Sequence, residues 1–289
     1  MAGAASVRPS TRLLASEGGD GGVKDSPPHA TLKPASAPSP DLPFLEYDAP
    51  AEQLLLELAN QARAEVGAPR LMLDAGLAQA ARTHAQAMVA SGQLAHQFAG
   101  EASLSQRLAS STHTQLDQEG ENVALDFDPA QAHLHLMLSP PHRANLLNAD
   151  YNVAGMAVAR AGNRLYVVQD FGHALPSYSV TEVKETIAAA VARARNQADQ
   201  PPLLRRELAS ADPAACSMAQ ADRLGTSPIH QLVQRYTLLT YTSLHPESLP
   251  ENAGRTLASH NLRSFSVGAC YARTETYPTG VYWVVLALE

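Results

Sequence analysis

From about Pro50, apolar residues recur at the spacing of a helix. Positions i, i+3, i+4, i+7 and i+11 are occupied by Leu55, Leu58, Ala59, Ala62 and Val66. This is the spacing of one face of an amphipathic helix. The pattern predicts a helix from about Pro50 that stops at Gly67.

A second helix is predicted immediately afterwards. Asp74 can cap its start, and Gly92 ends it. The apolar stripe between them consists of Leu77, Ala80, Ala81, His84 and Met88. Because His84 lies on this stripe, we interpret it as a structural residue that bonds a local acceptor rather than a ligand.

Two runs of β-forming residues follow a more polar region. "VAGMAVAR" (153–160) and "RLYVVQDF" (164–171) flank the short turn "AGN", which predicts a β-hairpin. Residues 93–128 appear as a polar stretch with short helical pieces, and residues 129–138 as a further helix. Helices that precede paired strands indicate an α+β layered domain.

The C-terminal half resembles the first half. "VGACYARTETYPTGVYWVVLAL" (267–288) is similar to 153–171, and Gly155 and Gly268 precede Arg160 and Arg273 at the same distance. Residues 192–219 resemble 59–88 more loosely. These similarities predict a divergent internal repeat of helix, helix and hairpin.

Composition divides the chain into three parts. Residues 1–43 are rich in Gly, Ala, Ser and Pro and predict a disordered leader or linker. Residues 44–178 and 179–289 then form the first and second predicted domains. With 289 residues, the chain is long enough for each domain to bury its own core.

Charge and apolar runs exclude two classes of partner. The net charge is −7 and the acidic residues are spread along the chain, so we expect no basic face for nucleic acid. The apolar runs are shorter than the roughly 20 residues that a membrane span needs, and the N-terminus lacks the apolar core of a signal peptide. Oligomeric state is left open.

The chain has only two cysteines, Cys216 and Cys270. They can form one bridge within the second domain or remain two buried thiols, and their number does not fix the compartment. No G-x-S-x-G elbow, Walker loop, H-E-x-x-H or C-x-x-C motif occurs. A covalent nucleophile is therefore not predicted.

A compact polar cluster, "SPPHRANLLN" (139–148), precedes the hairpin. Pro140 and Pro141 stiffen its entry, and the donors of Arg143 and Asn145 can satisfy carbonyls around the following loop. We interpret the cluster mainly as a scaffold that holds His142 in a fixed position.

Several of these segments together resemble the CAP superfamily, which contains the cysteine-rich secretory, antigen 5 and pathogenesis-related proteins, in its short bacterial form or SCP domain. The resemblance covers about residues 50–176. It rests on "NQARAEVGAPRLMLDAGLAQAARTHAQAM", "LAHQFAGEASLSQRL", "GEN" at 120–122, "SPPHRANLLN" and "VVQDF". It implies a three-layer α-β-α sandwich with a surface cleft.

The resemblance also implies site residues. His96, Glu121 and His142 match two histidines and one acid of the family's cleft; Ser139 or a neighbour stands where the second acid is expected. The supporting residues are Asn122, Ser139, Arg143 and Asn145. Asn60 and Arg63 match the family's first helix, where such residues bond backbone and acid groups between layers.

The second half contains a segment similar to the hairpin, but it lacks the residues that match the family's cleft. Arg255 stands where the second histidine would be, and "GEN" has no counterpart. We therefore expect a degenerate CAP-like partner domain that packs on the first domain or mediates association.

Three functions are compatible with these residues. The leading hypothesis, from the resemblance, is a non-enzymatic binding module of a bacterial cell, outside the cytoplasm, for a small apolar or glycan-like ligand. Two imidazoles and one carboxylate can also hold a divalent metal such as zinc, which gives the alternative of a metal-dependent hydrolase. The third is a structural adhesion protein that interacts through its second domain. The same polar groups can also simply hydrogen-bond across the cleft.

Overall fold

The computed structural model describes residues 5–9 and 47–289. Within them lie nine helices and nine strands: β1 (Ala5–Pro9), α1 (Ala49–Glu65), β2 (Met72–Leu73), α2 (Ala75–Ser91), α3 (Leu104–Ser111), β3 (Leu116–Asp126), α4 (Pro129–Leu138), α5 (Pro140–Leu147), β4 (Val153–Ala161), β5 (Arg164–Ala174), α6 (Val180–Gln197), β6 (Leu204–Arg205), α7 (Ala211–Gln220), α8 (Ser227–Val233), β7 (Thr237–Ser243), α9 (Ala253–Leu257), β8 (Ser264–Ala272) and β9 (Val281–Leu288).

The two predicted N-terminal helices are confirmed as α1 and α2. The Asp74 side chain accepts a hydrogen bond from the Leu77 amide and caps α2. Gly67 and Gly92 follow the helices with φ of 73° and 66°, a left-handed conformation that glycine adopts without a Cβ clash. The predicted hairpin is β4 and β5, and the C-terminal hairpin is β8 and β9.

The polar region 93–128 contains α3, in agreement with the short helical pieces predicted there, and also the long strand β3, which was not predicted. The cluster 139–148 is largely a short helix, α5, which was not predicted either. The strand β1 lies within the predicted leader and pairs antiparallel with β3. The rest of the leader predicted over residues 1–43 lies outside the described residues.

The first domain is a three-layer α-β-α sandwich around a sheet of order β1-β3-β5-β4-β2. Successive side chains of a strand face opposite sides, and the two faces of β4 meet different helices. One face packs Met156 and Val158 against α1, α4 and α5. The other packs Ala157 and Ala159 against α2. The expected fold class is therefore confirmed.

The second domain has the same topology. Its sheet has the order β6-β8-β9-β7, in which β6 and β8 are parallel and the other neighbours antiparallel. The strands β2, β4, β5 and β3 have the same order and directions. One core cluster packs α6 and α9 against the sheet, and another packs α7 and α8. This is the architecture expected of a degenerate CAP-like domain.

A buried arginine ties α1 to the chain that follows α5. Arg63 is fully buried and donates to the carbonyl oxygens of Pro69, Leu146, Asn148 and Tyr151 at 2.7–2.9 Å. Burial lowers the pKa of its guanidinium from the usual value. The four acceptors compensate the desolvated charge.

The second domain repeats this contact. Arg195 of α6 is buried and donates to the carbonyls of Pro201, Leu257 and Ser259 at 2.6–2.9 Å. The proline carbonyl lies six residues after the arginine, as it does for Arg63. The matching contacts support the internal repeat that the sequence predicts.

Cys216 on α7 and Cys270 on β8 form a disulfide, at a sequence separation of 54. Of the two alternatives that the sequence left open, the bridge is therefore the one formed, and the described residues contain no free cysteine. Within those residues, no helix has both the length and the apolarity to cross a bilayer.

Removing this bridge should destabilise the protein, because it closes a loop of 54 residues. The chain-entropy model gives about 4 kcal/mol for such a loop. We expect the double variant Cys216→Ser, Cys270→Ser to unfold at a lower urea concentration than the oxidised protein. Reductant should shift the midpoint of the wild type and leave that of the double variant unchanged. Two thiols titrating with Ellman's reagent in the untreated native protein would contradict the bridge.

Candidate functional site

Glu121 is the centre of the candidate site. It lies on β3 two residues before Val123, which packs in the same core cluster as α2, so its side chain faces the α2 side of the sheet. Glu121 is 1% exposed. Its Oε1 is 2.7 Å from Nδ1 of His96, and its Oε2 accepts from Arg107.

Arg107 provides the positive charge that this buried carboxylate needs. It lies on α3, is itself buried, and also donates to the carbonyls of Ala102 and His96. A buried ion pair is tolerated when further hydrogen bonds satisfy both partners. The sequence analysis included Arg107 in a family-like segment and assigned it no role.

His84 lies beside the same network with a structural role, as its position on the α2 stripe predicts. Its ring is fully buried, with Nδ1 2.7 Å from Oε1 of Glu101 and Nε2 2.8 Å from the carbonyl of Ala95. Both ring nitrogens thus lie within hydrogen-bonding distance of an oxygen atom. His84 and Glu101 therefore fasten the 92–103 segment to α2.

A second buried acid that the sequence analysis missed lies next to Glu121. Asp170 of β5 is directly opposite Glu121 in the strand register and is fully buried. Burial, and then the negative charge of Glu121, raise the pKa of Asp170 well above its usual value, and Arg107 only partly offsets this. Asp170 and Glu121 thus form a buried carboxyl pair in which the uncharged form of Asp170 is favoured.

His142 lies on α5, and its ring is fully buried. Nδ1 is 2.7 Å from the hydroxyl of Ser139. The peptide carbonyl of His142 accepts from Asn122, while Asn145 donates to the Glu121 carbonyl and to the Asn122 side chain. These contacts attach α5 to β3, which is the fastening role predicted for the cluster.

Arg143 takes a different position from the predicted one. Its side chain is exposed. The carbonyls that follow α5 are bonded by Arg63, which reaches them from α1. The sequence placed the donor nearby in the chain, whereas the fold brings it from 83 residues away.

The pocket beside the network is small. It measures about 60 Å³ and is lined by His96, Gln97, Ser103, Leu104, Ser105, Glu119 and Glu121. Of the three predicted cleft residues, His96 and Glu121 thus meet at one pocket. His142, which is not among the lining residues, is joined to Glu121 through the backbone contacts of Asn122 and Asn145.

The donor set does not fit the predicted zinc site. Zinc needs lone pairs that point to a common centre. Both oxygens of Glu121 are engaged, one by His96 and one by Arg107. Among the residues that the structure describes, no three His, Cys, Asp or Glu side chains are grouped to hold a metal ion.

The second domain lacks the carboxyl pair at the same place in its sheet. In the first domain, Gly155 pairs with Asp170, which pairs with Glu121. In the second, Gly268 pairs with Val285, which pairs with Thr240. Arg255, expected in place of the second histidine, is exposed on α9. The buried charge network is therefore confined to the first domain within the described chain.

One family model matches part of this chain. The model of the CAP family, the cysteine-rich secretory protein family, matches residues 56–171, which extend from α1 into β5. A search of curated proteins found no match.

Three of the similar solved structures are bacterial. An outer surface protein from Borrelia burgdorferi is 18% identical, covering 46% of this chain and 100% of that one, with a TM-score of 0.42. An extracellular SCP-domain protein from Bacillus anthracis is 28% identical over 43% of this chain and 40% of that one, with a TM-score of 0.37. A cysteine-rich secretory protein from Staphylococcus aureus is 25% identical over 43% and 39%, with a TM-score of 0.36.

The raised pKa of Asp170 predicts a pH dependence of stability. The folded carboxyl keeps its proton at pH values where the unfolded one, with a pKa of about 3.9, has lost it. The free energy of unfolding should therefore fall as pH rises above about 4, by at most about 1.4 kcal/mol per unit. Asp170→Asn should remove this decrease of the unfolding free energy with rising pH.

The measurement is urea unfolding of both proteins between pH 4 and 8. Asp150→Asn is the matched control, because Asp150 is exposed in a loop, and it should keep the wild-type slope. If Asp170→Asn and wild type show the same slope, Asp170 is not protonated in the folded protein.

Proposed function

Residues 56–171 form a CAP domain, and from this premise we propose that the protein is a non-enzymatic, extracytoplasmic binding protein whose ligand places a polar group at His96. One observation carries the proposal. Nδ1 of His96 bonds Glu121, while Nε2 is buried and has no partner among the described residues. Leaving such a nitrogen unpaired costs about 1–3 kcal/mol, so a ligand group or water that bonds it is favoured.

The geometry indicates what that group is. When the neutral ring donates from Nδ1 to the Glu121 carboxylate, Nε2 is an acceptor. The ligand must then offer a donor, such as a hydroxyl. A pocket of about 60 Å³ has room for one or two small polar groups. A hydroxyl-rich, glycan-like ligand that inserts a single group satisfies both requirements.

Catalysis is less well supported than binding. Glu121 is engaged at both oxygens, which leaves it no position for a metal or a substrate proton. Ser139 lies 2.7 Å from His142, a distance at which a base can activate a nucleophile. His142 is fully buried, however, so a substrate has no access to its ring.

An extracytoplasmic location is supported by the disulfide between Cys216 and Cys270. Disulfides form and persist in secreted proteins and in the periplasm, and they are rare in the reducing cytosol. The bridge lies in the second domain, so this support is independent of the His96 pocket.

The proposal is tested with a glycan array, followed by titration calorimetry of the strongest oligosaccharide. We expect His96→Ala to weaken that binding tenfold or more, because the removed ring supplies a buried hydrogen bond. His135→Ala is the matched control: His135 also bonds a carboxylate, Asp126 at 2.6 Å, and its side chain is 59% exposed outside the pocket. It should bind as wild type does.

Two results would reject the proposal: no oligosaccharide binds, or His96→Ala binds as tightly as wild type. Metal-dependent turnover of an ester or peptide that disappears in His96→Ala would instead favour the hydrolase alternative. Circular dichroism of each variant checks that the fold is retained.

A further inference from the structure

We infer that the ligand of the His96 pocket extends into the cavity between the two domains, and that it is a neutral oligosaccharide of two or more sugar units. This inference rests on the function proposed above, because one end of the oligosaccharide occupies the His96 pocket. That pocket, at about 60 Å³, has room for one or two small polar groups. The remainder of a glycan must therefore lie outside it.

The interdomain cavity adjoins the His96 pocket. Ser103, Ser105 and Glu119 line both of them, and the Ser105 hydroxyl donates to the Glu119 carboxylate within this shared wall. The cavity measures about 530 Å³, which lies within the range of about 300–1,000 Å³ that holds drug-sized ligands. A sugar that bonds His96 can therefore continue into a neighbouring space large enough for further sugar units.

The second domain supplies one wall of this cavity, the 275–280 segment. Hydrogen bonds attach both ends of the segment to the first domain. Arg273 donates to two carbonyls of the 109–112 segment, both at 2.6 Å, and the Thr279 hydroxyl donates to the carbonyl of Leu116 at 3.1 Å. A wall that is already in place requires little ordering when a ligand binds. The second domain, which lacks the buried acids, thus contributes to the site of the first.

Tyr277 gives this wall an aromatic ring. The ring is half-buried and lines the cavity. It packs edge-on against Trp283, with ring centroids 5.8 Å apart, and its hydroxyl lies 3.1 Å from that of Thr242. A ring held in this way loses little rotamer freedom on binding, and its apolar surface suits the C–H face of a sugar ring. An oligosaccharide offers both such ring faces and the hydroxyl that His96 requires.

Charge restricts the class of sugar. The carboxylates of Asp117, Glu119 and Glu275 line the cavity, and its lining includes no lysine, arginine or histidine. Asp117 and Glu119 already have hydrogen-bond partners within the fold, so these acids do not require a cation from the ligand. A uronic acid or another anionic sugar would be repelled by them and would find no cation in the lining to pair with. Neutral sugars are therefore favoured.

The experiment measures how affinity depends on the number of sugar units. The full chain is applied to an array of oligomers of glucose, galactose, mannose and N-acetylglucosamine, each from monomer to tetramer, and the strongest series is then studied by titration calorimetry. We expect the trimer to bind about tenfold or more tightly than the monomer, with one trimer per chain, because the added units contact the preformed cavity. Galacturonic acid oligomers on the same array should bind more weakly than galactose oligomers of equal length.

Variants separate the cavity from the His96 pocket. Tyr277→Ala should weaken trimer binding about five- to tenfold and leave monomer binding unchanged, because the monomer reaches only the His96 pocket. Tyr277→Phe keeps the ring and should bind the trimer as wild type does. Glu275→Trp places a bulky side chain at an exposed position of the lining and should also weaken trimer binding. Glu251→Trp, at an exposed position of the same domain outside the lining, is the matched control and should not.

Three results would overturn the inference: the trimer binds no more tightly than the monomer, the galacturonic acid oligomers bind as tightly as the galactose oligomers, or Tyr277→Ala and Glu275→Trp both bind the trimer as wild type does. Glu275→Trp keeps the test decisive if Tyr277→Ala fails to fold, since its position is exposed.

His96→Ala distinguishes failure of this inference from failure of the proposed function. Trimer binding that is weakened by His96→Ala and by neither cavity variant would retain the proposed function and reject the extension into the cavity. Trimer binding that is weakened by the cavity variants and not by His96→Ala would reject His96 as the point of attachment. An array on which no oligosaccharide binds would reject both.

Discussion

The burial of one carboxylate, Glu121, organises the first domain. A buried carboxylate is stable only with a countercharge and hydrogen bonds, and here both come from elements distant in sequence. Arg107 brings α3 to the sheet, and His96 brings the segment between α2 and α3. On the other side of the strand, the Glu121 carbonyl accepts from Asn145 of α5. One residue of β3 thus holds both helical layers.

The same network supports the proposal that the site binds a ligand rather than catalyses a reaction. Its acid already has its countercharge inside the fold, and burial and the negative charge of Glu121 raise the pKa of its second acid, Asp170, well above the usual value. At the pocket of about 60 Å³, Nε2 of His96 is buried and has no hydrogen-bond partner among the described residues. A hydrogen-bonded network of this kind makes one wall of the His96 pocket rigid.

The second domain has the same fold as the first but lacks this network of buried acids, so it shows which features the fold itself needs. It keeps the strand order, the buried arginine at the end of its first helix and the glycine in the first strand of its hairpin. At the register of the two acids it has Val285 and Thr240. Val285 lies in an apolar cluster with Trp283 and Met218. The fold therefore does not need the buried carboxyl pair, and its presence in one domain supports a role in the site.

Sequence by itself determined the parts that follow from local chemistry. Helical periodicity, the Asp74 cap and the two glycines predicted α1 and α2, and β-forming runs around a short turn predicted the hairpin of β4 and β5. The similarity of residues 267–288 to that hairpin predicted β8 and β9. The family resemblance found His96 and Glu121. Tertiary structure alone decided the rest. The sequence predicts a polar stretch with short helical pieces over 93–128, whereas 116–126 is a largely buried strand that Arg107, His96 and Asp170 meet from elsewhere in the chain. The disulfide and the interdomain cavity likewise join residues far apart in sequence. Periodicity reports which face a residue occupies, whereas the partners that make buried charge stable are set by packing between distant segments.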